Sequence, residues 1–386
     1  MPAQALLTGA CVLLPNGTLE RADVLIESGH ITGVETHIEA PAGAEIVDLS
    51  GLTLAPGFID VHVHGGGGFS LLSAKSEDVS RYAGWLPSRG VTGFLATICS
   101  ANIEDGIACA TAVTEAIRRD TTGARILGVN FEGPFVSPDR RGALPPAWLA
   151  KPDAYTLDRL LDSADVRVMT IAPELDGATA VTERALKRNV RVSVGHSDAE
   201  YAVAKRAFDA GASHVTHAFN AMRPLHHREP GPIGAAIDSK DVTVEVIADG
   251  VHLHPAVVHM LIEALGPNRV CLITDAVTPA GLASGTFRIG REEATLQDGS
   301  IRLPDGTIAG SAATMDAVVR NTIDWGCANL ASALRMASEV SARVAGVSDR
   351  AGRIATGYDA DLVALTENLE VSRTWVGGRI VYSSDA

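Results

Sequence analysis

The sequence predicts a (β/α)8 barrel of the TIM class, with a small β-sandwich domain built from both chain termini. Three observations lead there. Short apolar runs alternate with longer amphipathic stretches through the middle of the chain, as in repeated βαβ units. Both ends instead carry short strand-like segments broken by Gly and Asn. The length of 386 residues exceeds one ordinary domain, so a large barrel with an appendage is the natural division.

The barrel rests on eight runs: FIDVHVH (58–64), VTGFLATI (91–98), ARILGVNFE (124–132), VRVMTIAPE (166–174), RVSVGHS (191–197), HVTHAFN (214–220), VTVEVIADG (242–250) and VCLITDA (270–276). Their nearly continuous Val/Ile/Leu character suits strands buried on both faces. The stretches between them read as helices. SEDVSRYAGWLPSRG opens with Ser76 as N-cap, and SDAEYAVAKRAFDAG opens with Ser197 or Asp198 and closes at Gly211. HPAVVHMLIEALG has Pro255 in its first turn and Gly266 just past its end.

The sandwich is assigned to residues 1–54 plus 356–386, leaving 55–355 to the barrel. ALLTGACVLL, the Asn16-Gly17 turn, ADVLIESGHITGVE and EIVDLSGLTLAPG supply its first strands; DADLVALT and TWVGGRIVY supply the last, with Gly377-Gly378 as a hairpin turn. GTFRIGREEATLQDGSIRLPDGTIAG (285–310) reads as β-hairpin material inserted after the eighth strand.

Composition excludes several function classes. A net charge of −14 disfavours nucleic acid and anionic membranes as partners, and 4% aromatics argue against base stacking. An anionic small molecule stays open, because a few local cations decide a pocket's potential. The five cysteines (Cys11, Cys99, Cys109, Cys271, Cys327) are scattered, odd in number and form no CxxC pair, which fits a reducing compartment. The first arginine is Arg21, and Gly9, Pro15 and Gly17 interrupt the start, which reads as strand and turn rather than a signal peptide. No apolar run has the length to span a bilayer. The expected location is cytoplasmic.

The chemistry-bearing residues fall at the ends of the predicted strands, where barrels of this class carry their sites. His62 and His64 close the first run, Glu132 the third, His196 the fifth and Asp275 the eighth; His217 sits late in the sixth and His252 follows the seventh. Imidazole nitrogens and carboxylate oxygens suit Zn²⁺ or Fe²⁺, and three protein ligands with an open position make a hydrolytic site. His62 and His64 alternate along one strand, so both rings face one side. A lone strand histidine is more often a satisfied core residue; the pair followed by Gly65 to Gly68 is far more specific.

At PGFIDVHVHG (56–65) the sequence resembles the amidohydrolase superfamily, whose first barrel strand carries His-x-His. NFEGPF (130–135), VGHSDA (194–199), THAFNAM (216–222), REPG (228–231) and ITDA (273–276) narrow the resemblance to N-acetylglucosamine-6-phosphate deacetylases, and it runs on to DADLVAL (359–365). Relatives that use a carbamylated lysine on the fourth strand fit less well, because VRVMTIAPE has no lysine. The resemblance implies hydrolysis of N-acetyl-D-glucosamine 6-phosphate to glucosamine 6-phosphate and acetate in amino-sugar catabolism. It implies that Glu132, His196 and His217 hold the principal divalent metal, Zn²⁺ first and Fe²⁺ as the alternative. His62 and His64 would add a second ion with Glu132 bridging and Asp275 shared, giving one or two ions per chain.

Asp275 is then the catalytic carboxylate, although an Asp before a turn also caps helices. For the sugar phosphate the resemblance implies Asn220, Ala221, Arg228 and His252, with the backbone of Ile308, Ala309, Gly310 and Ser311. In relatives the arginine of this loop reaches the neighbouring subunit's site, so a homodimer is expected; alone, Arg228 is an ordinary solvated loop charge. His254 reads as a surface residue, and His30, His37 and His259 as structural. His214, three positions from His217 on a strand, should face the helices.

One departure stands out. Many members of the family carry a histidine after the EGP segment that hydrogen-bonds the acetyl carbonyl; RRGALPP places Leu144 there. His226 and His227 could compensate, or be plain loop residues. Two other readings remain open: an amidohydrolase acting on another N-acylated sugar phosphate or amide, and a sugar-phosphate-binding homologue with weakened catalysis.

Overall fold

The computed structural model describes residues 4–119, 122–289 and 292–384. Gly290 and Arg291 of the insert, and the extreme ends of the segments assigned to the sandwich, lie outside the described residues.

All eight runs form strands of one parallel sheet in sequential order: β1 (Phe58–Val63), β2 (Val91–Ile98), β3 (Arg125–Phe131), β4 (Val166–Ile171), β5 (Arg191–Val194), β6 (His214–Val215), β7 (Thr243–Val246) and β8 (Val270–Leu272). The sheet closes where the chain leaves β8. Asp275 N donates to His62 O at 2.9 Å and His64 N donates to Ala276 O at 2.8 Å. The closing seam therefore runs through three of the candidate site residues.

Several strands are shorter than their apolar runs. β6 stops at Val215, although the run continues to residue 220. Beyond it His217, Phe219 and Ala221 have φ of +24°, +70° and +49°, and His196 and Asp275, past β5 and β8, have +47° and +50°. L-residues rarely adopt this region, and a chain that does so leaves the pleat. His196, His217 and Asp275 thus follow the strands instead of ending them.

The helices cover the sheet as the pattern requires, with corrected starts. Ser76 is the first helical residue of Ser76–Trp85 rather than its cap; Lys75 holds that place and makes no side-chain bond. Tyr201–Asp209 starts after Glu200. Ser197 and Asp198 are engaged elsewhere: Ser197 Oγ donates to Glu174, and the Asp198 carboxylate accepts from Arg140 and Arg223. Pro255–Leu265 ends against Gly266, and His254 caps it by accepting from Ala256 N at 3.2 Å.

Both ends of the chain meet in one six-stranded sheet, where Leu362–Leu365 lies between Val371–Val376 and Thr53–Pro56. A four-stranded sheet from the first fifty residues faces it across Leu7, Val24, Ile31, Leu54, Leu362 and Trp375. Gly377 and Gly378, at φ +55° and +72°, make the two-residue turn between the last two strands. The insert folds as a four-stranded antiparallel sheet, Gly285–Ile289, Glu292–Gln297, Ser300–Arg302 and Ile308–Ser311. Its last strand returns to the barrel, with Ser311 N donating to Asp275 O at 2.8 Å. Among the described residues no helix is long and apolar enough to cross a membrane.

Candidate metal centre

Glu132 lies at the centre of the site. It emerges just past β3 with its N–H donating to Ile98 O at 3.0 Å, and Trp148 Nε1 donates to its carbonyl at 2.8 Å. Its side chain is buried and meets four imidazoles. Oε1 is 2.9 Å from His196 Nε2, 2.9 Å from His217 Nε2 and 3.6 Å from His62 Nε2; Oε2 is 3.3 Å from His64 Nε2. Asp275 Oδ1 closes the other side, 3.5 Å from His62 Nε2 and 3.3 Å from His64 Nε2.

The far side of each ring shows what these contacts are. His64 Nδ1 is 3.1 Å from Thr97 O and His196 Nδ1 is 2.9 Å from Arg140 O. Carbonyl oxygens only accept, so both rings carry their proton on Nδ1. His62 Nδ1 likewise donates to Glu245 Oε2 at 2.9 Å. In the neutral rings, His62, His64 and His196 therefore aim Nε2 lone pairs at carboxylate oxygens. His196 Nε2 and His217 Nε2 are 3.1 Å apart, and His62 Nε2 has no hydrogen-bond partner among the described residues. Lone pairs crowded against anions are repulsive unless a cation or extra protons lie between them. The same demand appears in the titration of the site. Burial pulls the His62 and His64 pKa values down, yet Glu245 beside His62, and Cys99, Asp275 and Glu132 beside His64, raise both well above normal. Burial pushes Glu132 up, and the four imidazoles nevertheless hold it well below the carboxylate range.

Two ligand groups result, Glu132/His196/His217 and His62/His64/Glu132, each with its donor atoms within 4.8 Å of one another. Bonds of about 2.0–2.1 Å in a tetrahedral shell place ligand atoms about 3.3 Å apart. The edges measured here, 2.9–3.6 Å, bracket that value. The residues fit a divalent cation.

His64, Glu132, His196 and His217 open onto a cavity of about 670 Å³ also lined by Asn220, Ala221, His252, Asp275, Leu144 and Ile308 to Gly310. Gly310 has φ +105°, and a Cβ there would lie 2.6 Å from Val277 Cγ1 and 3.0 Å from Asp275 O, so the insert can approach this closely only through glycine. The Amidohydrolase family matches residues 53–381. The chain belongs to it.

Relatives of this amidohydrolase align over its whole length. It is 34% identical to an N-acetylglucosamine-6-phosphate deacetylase of Bacillus subtilis, over 100% of this chain and 98% of the relative. It is also 34% identical to an N-acetylgalactosamine-6-phosphate deacetylase of Escherichia coli O157:H7, over 96% and 97%. Among solved structures, an aspartate-to-alanine variant of N-acetyl-D-glucosamine-6-phosphate deacetylase from Mycobacterium smegmatis, in complex with N-acetyl-D-glucosamine-6-phosphate, superposes with a TM-score of 0.91 at 35% identity, covering 99% of this chain and 100% of that one.

Not every predicted residue joins the cavity of this amidohydrolase. Arg228 is exposed on the loop after Ala221, hydrogen-bonded to His227 Nε2 at 2.8 Å. The rings of His226 and His227 lie 4.2 Å apart, tilted by 46°, exposed and outside the cavity lining, so neither compensates for Leu144 within its own chain. Ser311 is buried behind the lining, its hydroxyl accepting from Ala313 N at 2.9 Å. His252 does reach the cavity: Asp249 accepts from its Nδ1 at 2.7 Å and its Nε2 lies 4.0 Å from Asp275 Oδ2.

Two buried polar residues, Asp60 and Glu245, carry no signal used above, and a third, His214, is oriented otherwise than strand parity predicts. Asp60, two positions before His62 and on the same face, accepts from Thr274 Oγ1 at 2.5 Å, and burial raises its pKa to about 7. Glu245 interrupts the apolar run of β7, a signal in itself. His214 does not face the helices: its Nε2 is 3.0 Å from Glu245 Oε1 and its Nδ1 2.7 Å from Thr243 Oγ1. Strand parity predicted otherwise because it assumes a strand through His217, and β6 ends first.

Proposed function

We propose that this amidohydrolase removes the acetyl group from an amino-sugar 6-phosphate, with N-acetyl-D-glucosamine 6-phosphate as substrate, releasing acetate and glucosamine 6-phosphate. The observation that carries the reading is the convergence of four imidazoles and Asp275 on one buried glutamate at the floor of a substrate-sized cavity. Full-length relatives bearing that activity in their names support the substrate.

In this reading Glu132, His196 and His217 hold the principal ion, and His62 and His64, with Glu132 bridging and Asp275 shared, hold a second. The nitrogen-rich ligand set favours Zn²⁺ and also admits Fe²⁺. A divalent cation held there supplies the acidity that makes water a nucleophile at neutral pH and polarises the amide carbonyl. Asp275 accepts the proton of the attacking water. The carboxyl so formed hands that proton to the amine nitrogen as the C–N bond breaks. His252, fixed by Asp249, faces Asp275 and the substrate across the cavity.

Among the described residues no arginine or lysine lines the cavity, yet the substrate carries a phosphate. This supports a homodimer in which Arg228, exposed on the loop that follows Asn220 and Ala221, reaches the neighbouring subunit's site. A planar guanidinium suits a phosphate through paired charged hydrogen bonds. The five free cysteines support a reducing, cytoplasmic location.

A second reading keeps the machinery and changes the sugar to N-acetylgalactosamine 6-phosphate, as named for one relative. Acetate release by zinc-loaded protein from the two sugar phosphates and from unphosphorylated N-acetylglucosamine separates the cases. The proposal expects the glucosamine phosphate to give the highest kcat/KM. Preference for its epimer installs the second reading, and no release from any of the three leaves a binding protein.

A further inference from the structure

Glu245 has no part in the mechanism above, yet it is buried on β7 directly behind the metal centre. One of its oxygens serves both ligand groups. Oε2 accepts from His62 Nδ1 at 2.9 Å and from the backbone N–H of His217 at 2.8 Å. The other, Oε1, lies 3.0 Å from His214 Nε2, whose Nδ1 meets Thr243 Oγ1 at 2.7 Å. His62, Glu245 and His214 are each no more than 1% exposed, so the chain of contacts is closed to water.

We propose that Glu245 is the positioning residue that makes the His62/His64 position able to hold its own cation. The inference rests on the metal-dependent reading above. The four imidazoles are not held alike. His64 and His196 are fixed through backbone carbonyls, and His217 Nδ1 has no hydrogen-bond partner among the described residues. Of the four, only His62 has a carboxylate behind its far nitrogen. A carboxylate accepting from the far nitrogen fixes the tautomer that bares Nε2 and makes that nitrogen a stronger donor to a cation. The same oxygen also holds the His217 N–H at a residue whose φ is +24°, so the buried charge is anchored to both groups and cannot swing away from His62.

Glu245→Gln is the informative variant. Its amide oxygen can still accept from His62 and His217 while its NH₂ donates to His214, so the fold and contacts survive and the charge is lost. Chelator competition with Zn²⁺ reads each ion's affinity without reference to activity. The expected result is a 10–100-fold rise in Kd for the weaker ion, about threefold or less for the tighter one, and an unchanged far-ultraviolet spectrum. In a double-mutant cycle with His62→Asn, the two losses for the weaker ion should fail to add, because Glu245 acts through His62. Equal loosening of both ions, no change in either, or additive losses in the cycle overturns the proposal. A wild-type chain that takes up a single ion overturns it too, while leaving the deacetylase reading intact; a chain that binds none sinks that reading as well.

Discussion

Asp275→Asn tests the division of labour in the site. Asparagine keeps the size of the side chain and, like aspartate, tolerates the +50° φ found here. The backbone anchors also survive, because they involve only main-chain atoms of Asp275: its N–H to His62 O and its carbonyl from Ser311 N. The variant therefore loses the ability to take up a proton, together with an anionic oxygen 3.3 Å from His64 Nε2 and 3.5 Å from His62 Nε2. A positioned general acid or base contributes about 10²–10⁴ in rate. At about 1.4 kcal/mol per decade this corresponds to roughly 3–5 kcal/mol of transition-state stabilisation. Steady-state acetate release at saturating Zn²⁺ should show kcat lower by that factor, with KM within about threefold because no sugar or phosphate contact has changed. A kcat within tenfold of wild type, or a raised KM at constant kcat, would refute the role given to Asp275.

Three other outcomes follow from particular residues. Arg228→Ala should raise KM for the sugar phosphate by at least tenfold, as loss of a charged hydrogen-bonded pair does, and leave unphosphorylated substrate unaffected; equal effects on both would remove the phosphate role. Leu144→His places a donor on the cavity wall where this chain has a buried apolar side chain, and kcat should rise, by up to about 10²; an unchanged kcat would show that carbonyl polarisation needs no donor from this loop. Glu339 accepts from Arg335 at 2.7 Å and Arg353 at 2.6 Å, and these pairs hold its pKa below 4.5 although burial pushes it up. A depressed carboxylate stabilises the fold above its unfolded pKa and loses that contribution as pH falls through the folded value. Glu339→Gln should therefore lower the unfolding free energy at pH 7 by about 1 kcal/mol or less, read as a lower Tm, and the gap should close as pH falls below the ordinary glutamate range. A gap that persists in acid would assign the loss to packing.

The barrel was legible because its strands are apolar on both faces and alternate with helices, a pattern few other folds share. The site was legible where residue type alone carried it: imidazole pairs and carboxylates at the ends of apolar runs are costly to bury without a shared purpose. Strand geometry misleads where the backbone stops being a strand. His214 was turned the wrong way, and Ser197 and Asp198 were given to a helix that starts later, because the segments after β5 and β6 leave regular backbone at His196 and His217. Glu245 was visible as a carboxylate in the middle of VTVEV, but its partners His62 and His214 lie 183 and 31 residues away in sequence, and only closure of the barrel brings them together. Leu144, the departure from the family pattern, does sit in the cavity wall, whereas His226 and His227 do not reach it.

Glu132 belongs to both ligand groups, so one substitution there reaches every cation the site is said to hold. Elemental analysis of zinc-reconstituted protein should find one or two ions per wild-type chain and almost none in Glu132→Gln. A variant chain that retains the full wild-type content would contradict the account at its root.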